Sequence, residues 1–374
     1  MRVLFLVPFP LDGPSSRMRV WQYLPALHKL GIETTVLPFV SERYFRRHYQ
    51  AGTSAGKVAH LLGFQLRRGA DALRARHYDV VVVQREAAVF GPPVFERFIA
   101  GRLARPLVFD FDDAISRVSP KYGWKAPLVG LVKCPGKTRQ LLELSRAVVV
   151  GNRELETYAG EFNRDVTLIP TVVDHERITP RSEPRRDGDD RPLVLGWMGS
   201  HSTRPYIEGL LPVLRELSGR LAVSRGPGQA PDLVLRVIGA GRPVHDAQLC
   251  IENREWSLQS EVGELRDFDI GLYPLPDDDW ARGKSGFKAV QNMAVGVPTV
   301  ASPVGATADI LTDGVTGFLP RTDQEWVDRL ELLVRDPNLR GSMGRAGRRQ
   351  VEDWYCVARQ APRWKEVLER ASSR

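Results

Sequence analysis

The chain has 374 residues, of which 43% are hydrophobic and 26% charged, and a formal net charge of +8. This length suggests two domains of ordinary size, the composition argues against a disordered chain, and the lack of any run of about eighteen apolar residues argues against a transmembrane helix. The apolar opening at 3–8 is too short for a signal peptide, and Cys134, Cys250 and Cys356 lack metal-ligand or redox spacing, so a cytoplasmic protein without disulfides or zinc is expected.

Residues 2–8 read as a strand, 9–17 as a loop, 19–30 as a helix stopped by Gly31, and 32–37 as a second strand. Further strands are expected at 79–84, 106–111, 147–150 and 166–169 with helical stretches between them, the pattern of a parallel α/β domain. Positive charge collects here: residues 1–170 hold 25 Lys and Arg against 15 Asp and Glu, and the remainder holds 28 against 30. Between 43 and 76, Tyr44, Phe45, Tyr49, Leu61, Leu62, Phe64 and Leu66 are interleaved with Arg46, Arg47, Lys57, Arg67 and Arg68. Such a segment fits an anionic bilayer surface, apolar side chains in the interface and cations at lipid phosphates, and fits a solvated basic helix pair equally well. No helix-turn-helix, zinc or aromatic-platform signature accompanies the charge, so a nucleic-acid partner is not expected.

Residues 179–192 are polar and rich in Pro, Gly and Asp, which marks a linker. A second α/β series follows, with strands at 193–198, 233–238, 270–273 and 297–301 and a turn at Asp313-Gly314. Residues 350–374 carry Trp354, Tyr355, Trp364 and Val367 at helical spacing. The expected fold is α/β: an N-terminal Rossmann-like parallel-sheet domain (1–175), a linker (176–192), a second such domain (193–350), and a C-terminal helix (351–374) packing back. Two such sheets facing across a cleft would place a substrate between them.

Residues 283–300 carry the strongest chemical signal. Lys284 and Lys288 stand where a short helix is expected to start, and there the partial positive charge of the backbone disfavours a cation by roughly a few tenths of a kcal/mol unless an anion lies between them. Ser285 is the expected cap, Gly283 and Gly286 permit close backbone approach, and the first-turn amides would point at the same anion, most naturally a phosphate. The alternative is a solvated basic helix start beside an ordinary glycine turn.

Gly31-Ile32-Glu33-Thr34-Thr35-Val36, Val149-Val150-Gly151-Asn152 and Ile169-Pro170-Thr171-Val172-Val173-Asp174 resemble segments of glycosyltransferase family 4, the group 1 glycosyl transferases with the GT-B fold. The strongest match is Met293-Ala294-Val295-Gly296-Val297-Pro298-Thr299-Val300-Ala301-Ser302 followed by Asp313-Gly314-Val315-Thr316-Gly317-Phe318. Gly283-Lys284-Ser285-Gly286-Phe287-Lys288 is similar to the donor loop of a subset of that family. The likeness covers essentially the whole chain. It implies a retaining transferase that moves a hexose-type unit from a nucleoside-diphosphate sugar to a lipid-linked, polysaccharide or other glycan acceptor at the inner membrane face, with no metal or other cofactor. A sugar-nucleotide epimerase and a non-catalytic nucleotide-sugar binding partner are the competing readings.

The resemblance also implies roles for individual residues. Gly199 and Ser200 fall in the first loop of the donor domain, with Arg204 against the donor diphosphate and Lys288 as the second cation. Gly239 would approach the nucleoside, and Lys284, Ser285, Gly286 and Phe287 belong to the donor loop. The two glutamates usual in the family, with seven residues between them, fall on Gly283 and Gln291, which leaves Gln291 to bond a hydroxyl and Lys284 as an added cation. Asp112 falls where relatives have a histidine facing the transferred sugar; with Asp113 it is a catalytic candidate, and Asp110 is an acceptor candidate. Acidic residues at a strand end could instead cap a helix, or hold a metal as in a different, single-domain transferase fold. Arg17 and Arg19 are further acceptor candidates, and Arg17 is the one expected to face the cleft.

Overall fold

The structure is a computed structural model that describes residues 1–49, 57–117, 134, 136–180, 191–223 and 233–373. Contacts divide the chain into two compact units, one of Met1–Val172, Gly283–Ser285 and Val357–Arg374, the other of Val173–Arg282 and Gly286–Cys356. Most of the expected linker, 181–190, lies outside the described residues.

The first unit is built on a six-stranded parallel sheet: β1 Arg2–Val7, β2 Glu33–Pro38, β3 Val80–Gln84, β4 Leu107–Phe111, β5 Ala147–Val150 and β6 Val166–Leu168, in the order β2-β1-β3-β4-β5-β6. The inner strands are continuous apolar runs because helices cover both faces, so no alternation with polar residues is needed. After β1 the chain departs from its sequence reading. A helix, Pro14–Arg19, begins inside the expected loop, where Pro14 supplies a preset φ at the first turn. It breaks at Val20 and passes through a 3-10 turn, Trp21–Tyr23, into a second helix, Leu24–Lys29. Pro25 has no amide hydrogen to continue one long helix across that break.

The basic segment is also more structural than its composition suggests. In the helix Lys57–Arg74, Phe64 is buried and Arg68 is fully buried, donating to the carbonyls of Leu37 and Val7 at 3.0 Å each. Arg67 donates to the carbonyls of Pro38 and Phe39. The end of β2 therefore takes up two of the cations, while Leu62 and Leu66 remain exposed. The side chains of Arg47, Tyr49, Lys57 and Leu61 lie outside the described residues. No helix among the described residues is long and apolar enough to cross a membrane.

The second unit repeats the architecture with β7 Leu193–Met198, β8 Leu233–Ile238, β9 Ile251–Arg254, β10 Ile270–Tyr273, β11 Thr299–Ala301 and β12 Gly317–Phe318, all parallel, in the order β12-β11-β10-β7-β8-β9. The two edge strands were not expected from sequence, since β9 is mostly polar and β12 has only two residues. Gly196 lies against the Phe268 ring and Gly271 against Asn292, where a methyl group would fall 2.0 and 2.1 Å from those side chains. Arg348 ties the unit together by donating to the carbonyls of Ile178, Ala294 and His175.

The chain ends in the helix Val357–Ser373, which belongs to the first unit. It starts later than its sequence spacing suggested and leaves Trp354 and Tyr355 outside it. Trp364 is buried edge-on to Phe5 and Tyr23, and Arg370 binds both Asp165 and Thr167. Removing the indole leaves a cavity in the core of the first unit. Trp364→Ala is therefore expected to cost about 3–5 kcal/mol, read as a lower urea midpoint for the unfolding of that unit; an unchanged midpoint would contradict this packing.

Candidate functional site

In each unit the polar residues singled out by the sequence collect where the parallel strands end. In the first unit the centre of the cluster is an ion pair between Arg19 and Asp110, both without exposed surface. Arg19 binds Asp110 through Nη2 and through Nε, and its Nη1 donates to the Ile169 carbonyl at 2.6 Å. Burial pushes the Asp110 carboxyl above the usual carboxylate range, while Arg19 and Arg85 pull it back. Burial opposes the charge on Arg19, but Asp110 outweighs it and the guanidinium holds its proton more tightly than usual. The acceptor roles expected for Arg19 and Asp110 are corrected accordingly: neither presents surface to a ligand, and both are occupied in fixing the end of β4. Arg17, expected to face the cleft, is also buried, within the helix Pro14–Arg19.

Asp112 is 5% exposed. Its Oδ2 accepts from Thr171 Oγ1 at 2.9 Å, whereas Oδ1 is buried with no hydrogen-bond partner among the described residues. Burial first, and repulsion from Asp113 second, push its carboxyl up to about 6. Gly151 makes room for it, since a methyl group there would fall 2.7 Å from Asp112 Cβ. Asp113 is more open and pairs with Arg85 at 3.2 Å. Sequence reading missed Arg85, which holds a φ of 62° just after β3 and donates its amide to the Asp110 carbonyl at 2.7 Å. A long side chain in left-handed backbone is strained, and such strain persists where surrounding contacts enforce it. Arg85 Nη1 and Gln84 also reach Ser15, and Ser16 donates to Gln84, which completes a polar layer behind the two carboxylates.

In the second unit the feature corresponding to the lysine motif is the helix Phe287–Ala294. Its N-cap is Gly286, in left-handed backbone at φ 66° and without any side-chain cap. This corrects the role given to Ser285, which precedes the cap by one residue and groups by contact with the first unit, as do Gly283 and Lys284. There the Asn152 amide donates to the Gly283 and Lys284 carbonyls at 3.2 and 3.0 Å. At a φ of 66° a side chain is strained, and a methyl group on Gly286 would also fall 2.4 Å from Ile310 Cδ1, so glycine is favoured there. Gly286 offers the first turn no side-chain cap at the positive end of the helix, and the Ala289 amide donates to the Gly286 carbonyl at 3.0 Å.

Within the first turn, Lys288 Nζ donates to Gln291 Oε1 at 3.4 Å, and the fully buried Gln291 donates to Glu261 Oε1 at 3.1 Å. Trp256 Nε1 donates to the same carboxylate oxygen at 3.3 Å. Glu261 and Trp256 were missed because they belong to the loop-and-helix stretch before β10, where no spacing rule singles them out. Glu261 supplies, from another segment, a carboxylate beside the position where Gln291 replaces the glutamate of the family pattern. Gly239, at φ 75°, lies against Gly199 and Trp256: a methyl group there would be 2.8 Å from the Gly199 carbonyl oxygen and 3.2 Å from Trp256 Cβ. The Ser200 carbonyl accepts from the amides of Thr203 and Arg204 as the helix Arg204–Val223 begins. Arg204 pairs with Glu208 at 3.3 Å in partly exposed positions, an interaction worth about 0–1 kcal/mol that an incoming anion can displace.

Residues 192–336 match the family model described as Glycosyl transferases group 1. The backbone as a whole superposes on Anabaena HepE, solved in complex with UDP and glucose, with a TM-score of 0.67 at 14% identity over 99% of both chains. The fold is GT-B. A second GT-B neighbour is the sucrose-phosphate synthase of Thermosynechococcus elongatus, with a TM-score of 0.66 at 16% identity over 100% of this chain and 99% of that one. Among curated proteins, D-inositol 3-phosphate glycosyltransferase of Pseudarthrobacter chlorophenolicus is 28% identical over 228 residues, 54% of this chain and 50% of that protein. The chain spans about half the length of the curated relatives it matches.

The raised Asp112 carboxyl gives the GT-B first unit a pH signature. A carboxyl held up to about 6 stabilises the fold at acid pH, below its unfolded-state value, and that contribution is lost as pH rises through about 6. Asp112→Asn is neutral at every pH and should therefore gain melting temperature relative to the parent between about pH 4.5 and 7.5. A difference that stays constant over this range would contradict the buried, protonatable Asp112.

Proposed function

We propose that the protein is a glycosyltransferase that takes a sugar from a nucleoside-diphosphate donor, with UDP as the nucleotide, and passes it to a glycan or lipid-linked acceptor. The observation that carries this reading is the helix opening at Gly286: a glycine N-cap with no side chain over the helix end, a lysine in the first turn, and a buried Gln291–Glu261 pair that holds the lysine from behind. It lies inside the segment that matches the group 1 model, and the nearby turns at Gly199 and Gly239 leave bare backbone where a nucleotide can approach. HepE, whose fold this chain shares, binds UDP and UDP-glucose, which supports the choice of nucleotide.

On this reading Lys288, Arg204 and the first-turn amides stabilise the diphosphate as the bond between the anomeric carbon and the phosphate oxygen breaks. These cations and helix dipoles meet the leaving charge without a metal ion. The acceptor oxygen bonds to the same face of the anomeric carbon, so configuration is retained, and its proton passes to the departing phosphate. Gln291, fully buried, and Glu261 hold Lys288 in place from behind, so the hydroxyl contact expected of Gln291 is replaced by a positioning role. Asp113, held by Arg85, and Asp112 act on the sugar and acceptor side, where a carboxylate favours positive charge developing at the anomeric carbon. Exposed Leu62 and Leu66 beside Arg67 support peripheral contact with an anionic bilayer at its cytoplasmic face, consistent with a lipid-linked acceptor in polysaccharide or cell-envelope synthesis. The replacement of a family glutamate by Gln291 favours one rival, a non-catalytic nucleotide-sugar binder.

The test is release of nucleotide from UDP-glucose and related UDP-sugars, with and without lipid-phosphate and glycan acceptors. Turnover that survives EDTA and falls at least about 100-fold in kcat/KM for a folded Lys288→Ala variant is the expected result. Nucleotide binding without turnover of any donor would leave the non-catalytic reading in its place.

A further inference from the structure

The proposed donor site uses the carboxyl ends of the second unit's strands. The opposite edge of the same sheet, at the amino ends of β10 and β11, holds a cavity of about 370 Å³. Its apolar wall is formed by Phe268, Val297 and Pro298, and its rim by arginines of the helix Pro337–Asp353. The floor exists because two glycines meet: a methyl group on Gly344 would fall 2.1 Å from the Gly296 carbonyl oxygen, so the helix backbone rests directly on the loop that leads into β11.

Some of the lining charge is already used within the protein. Arg348 is committed to three backbone carbonyls and to Glu352. Arg340 holds the carbonyls of Leu333 and Val334. Asp269 accepts from Arg191 and from the Val194 amide. Arg345 and Arg349 differ from these. Both are exposed, they stand four residues apart on one face of the helix, and no carboxylate among the described residues pairs with either. Arg345 folds back over Gly341, so its guanidinium lies at the mouth of the cavity; a methyl group on Gly341 would be 3.2 Å from its Nη1. Like charges at this spacing repel each other mildly, and a shared anion reverses that effect.

We infer that this cavity is a second ligand site, distinct from the donor site, for an organic phosphate with an apolar body. Two guanidinium groups match a phosphate monoester in charge, since it carries about −1.5 to −2 at neutral pH, and in geometry, because the planar guanidinium forks onto its oxygens. A carboxylate would neutralise only one of them. The wall of Phe268, Val297 and Pro298 gives the apolar part of the molecule a surface to cover. The phosphate could belong to a soluble ester or to the headgroup of a phosphorylated lipid.

Calorimetric titration with geranyl phosphate, geraniol and inorganic phosphate tests the site without reference to glycosyl transfer. Geranyl phosphate should bind at least about tenfold more tightly than either fragment. Arg345→Ala combined with Arg349→Ala should weaken it at least about tenfold while keeping the parent melting temperature, because both side chains are exposed. Arg349→Gln alone should give a smaller loss in the same direction. Displacement of geranyl phosphate by phosphatidylcholine vesicles containing phosphatidic acid would assign the site to a lipid headgroup, and retention would assign it to a soluble ester. No measurable binding, or equal binding by parent and double variant, would overturn the proposal.

Discussion

Charge buried at the carboxyl ends of parallel strands is the constraint on which the first unit depends. Arg19 is fully enclosed and ties its own helix to two other pieces of chain, the end of β4 and the exit of β6. Such a pair adds little net stability, but removing one partner leaves an uncompensated charge and costs about 3–5 kcal/mol. Its value here is positional. With Asp110 held, the backbone of Arg85 is fixed through the Asp110 carbonyl, and Arg85 in turn fixes Asp113. Asp112 is the member of the cluster left with an unsatisfied oxygen, and it is the one whose proton affinity rises into the physiological range.

The second unit meets a similar demand with glycine rather than charge. Gly286 opens its helix in backbone that other residues adopt at a cost, and the close contacts of Gly199 and Gly239 bring bare backbone to the same end of the sheet. Charged side chains are then supported from the second row: Trp256 and Gln291 converge on Glu261, and Lys288 rests on Gln291. A lysine held in this way loses less side-chain freedom when an anion arrives, which favours affinity for a diphosphate. The helix on the far side of this sheet instead presents arginines in excess of what its own carboxylates and carbonyls use.

The architecture was largely legible in the sequence because parallel strands covered on both faces are written as apolar runs. β5, β7, β8 and β10 match their expected spans residue for residue. The elements that were not legible had other causes. β9 and β12 are too polar or too short to register, and the break at Val20 depends on a proline five positions later. In the candidate site, residue types were legible and their partners were not. Asp110 and Arg19 were picked out for chemistry, yet they neutralise each other, since two charges far apart in sequence give no sign of meeting. Arg85, Glu261 and Trp256 left no trace in any motif, because what distinguishes them is backbone strain or proximity created by the fold. The capping role went to Ser285 because serine is the common N-cap, whereas a left-handed glycine displaced it by one residue.

On the proposed reading, the helix opening at Gly286 is a diphosphate site. The most direct measurement is the affinity of the purified protein for UDP compared with that for uridine, by calorimetry at fixed ionic strength. If the first-turn amides and Lys288 bind the diphosphate, UDP should bind at least about 100-fold more tightly than uridine, close to 3 kcal/mol. Equal affinities for the two would contradict the account.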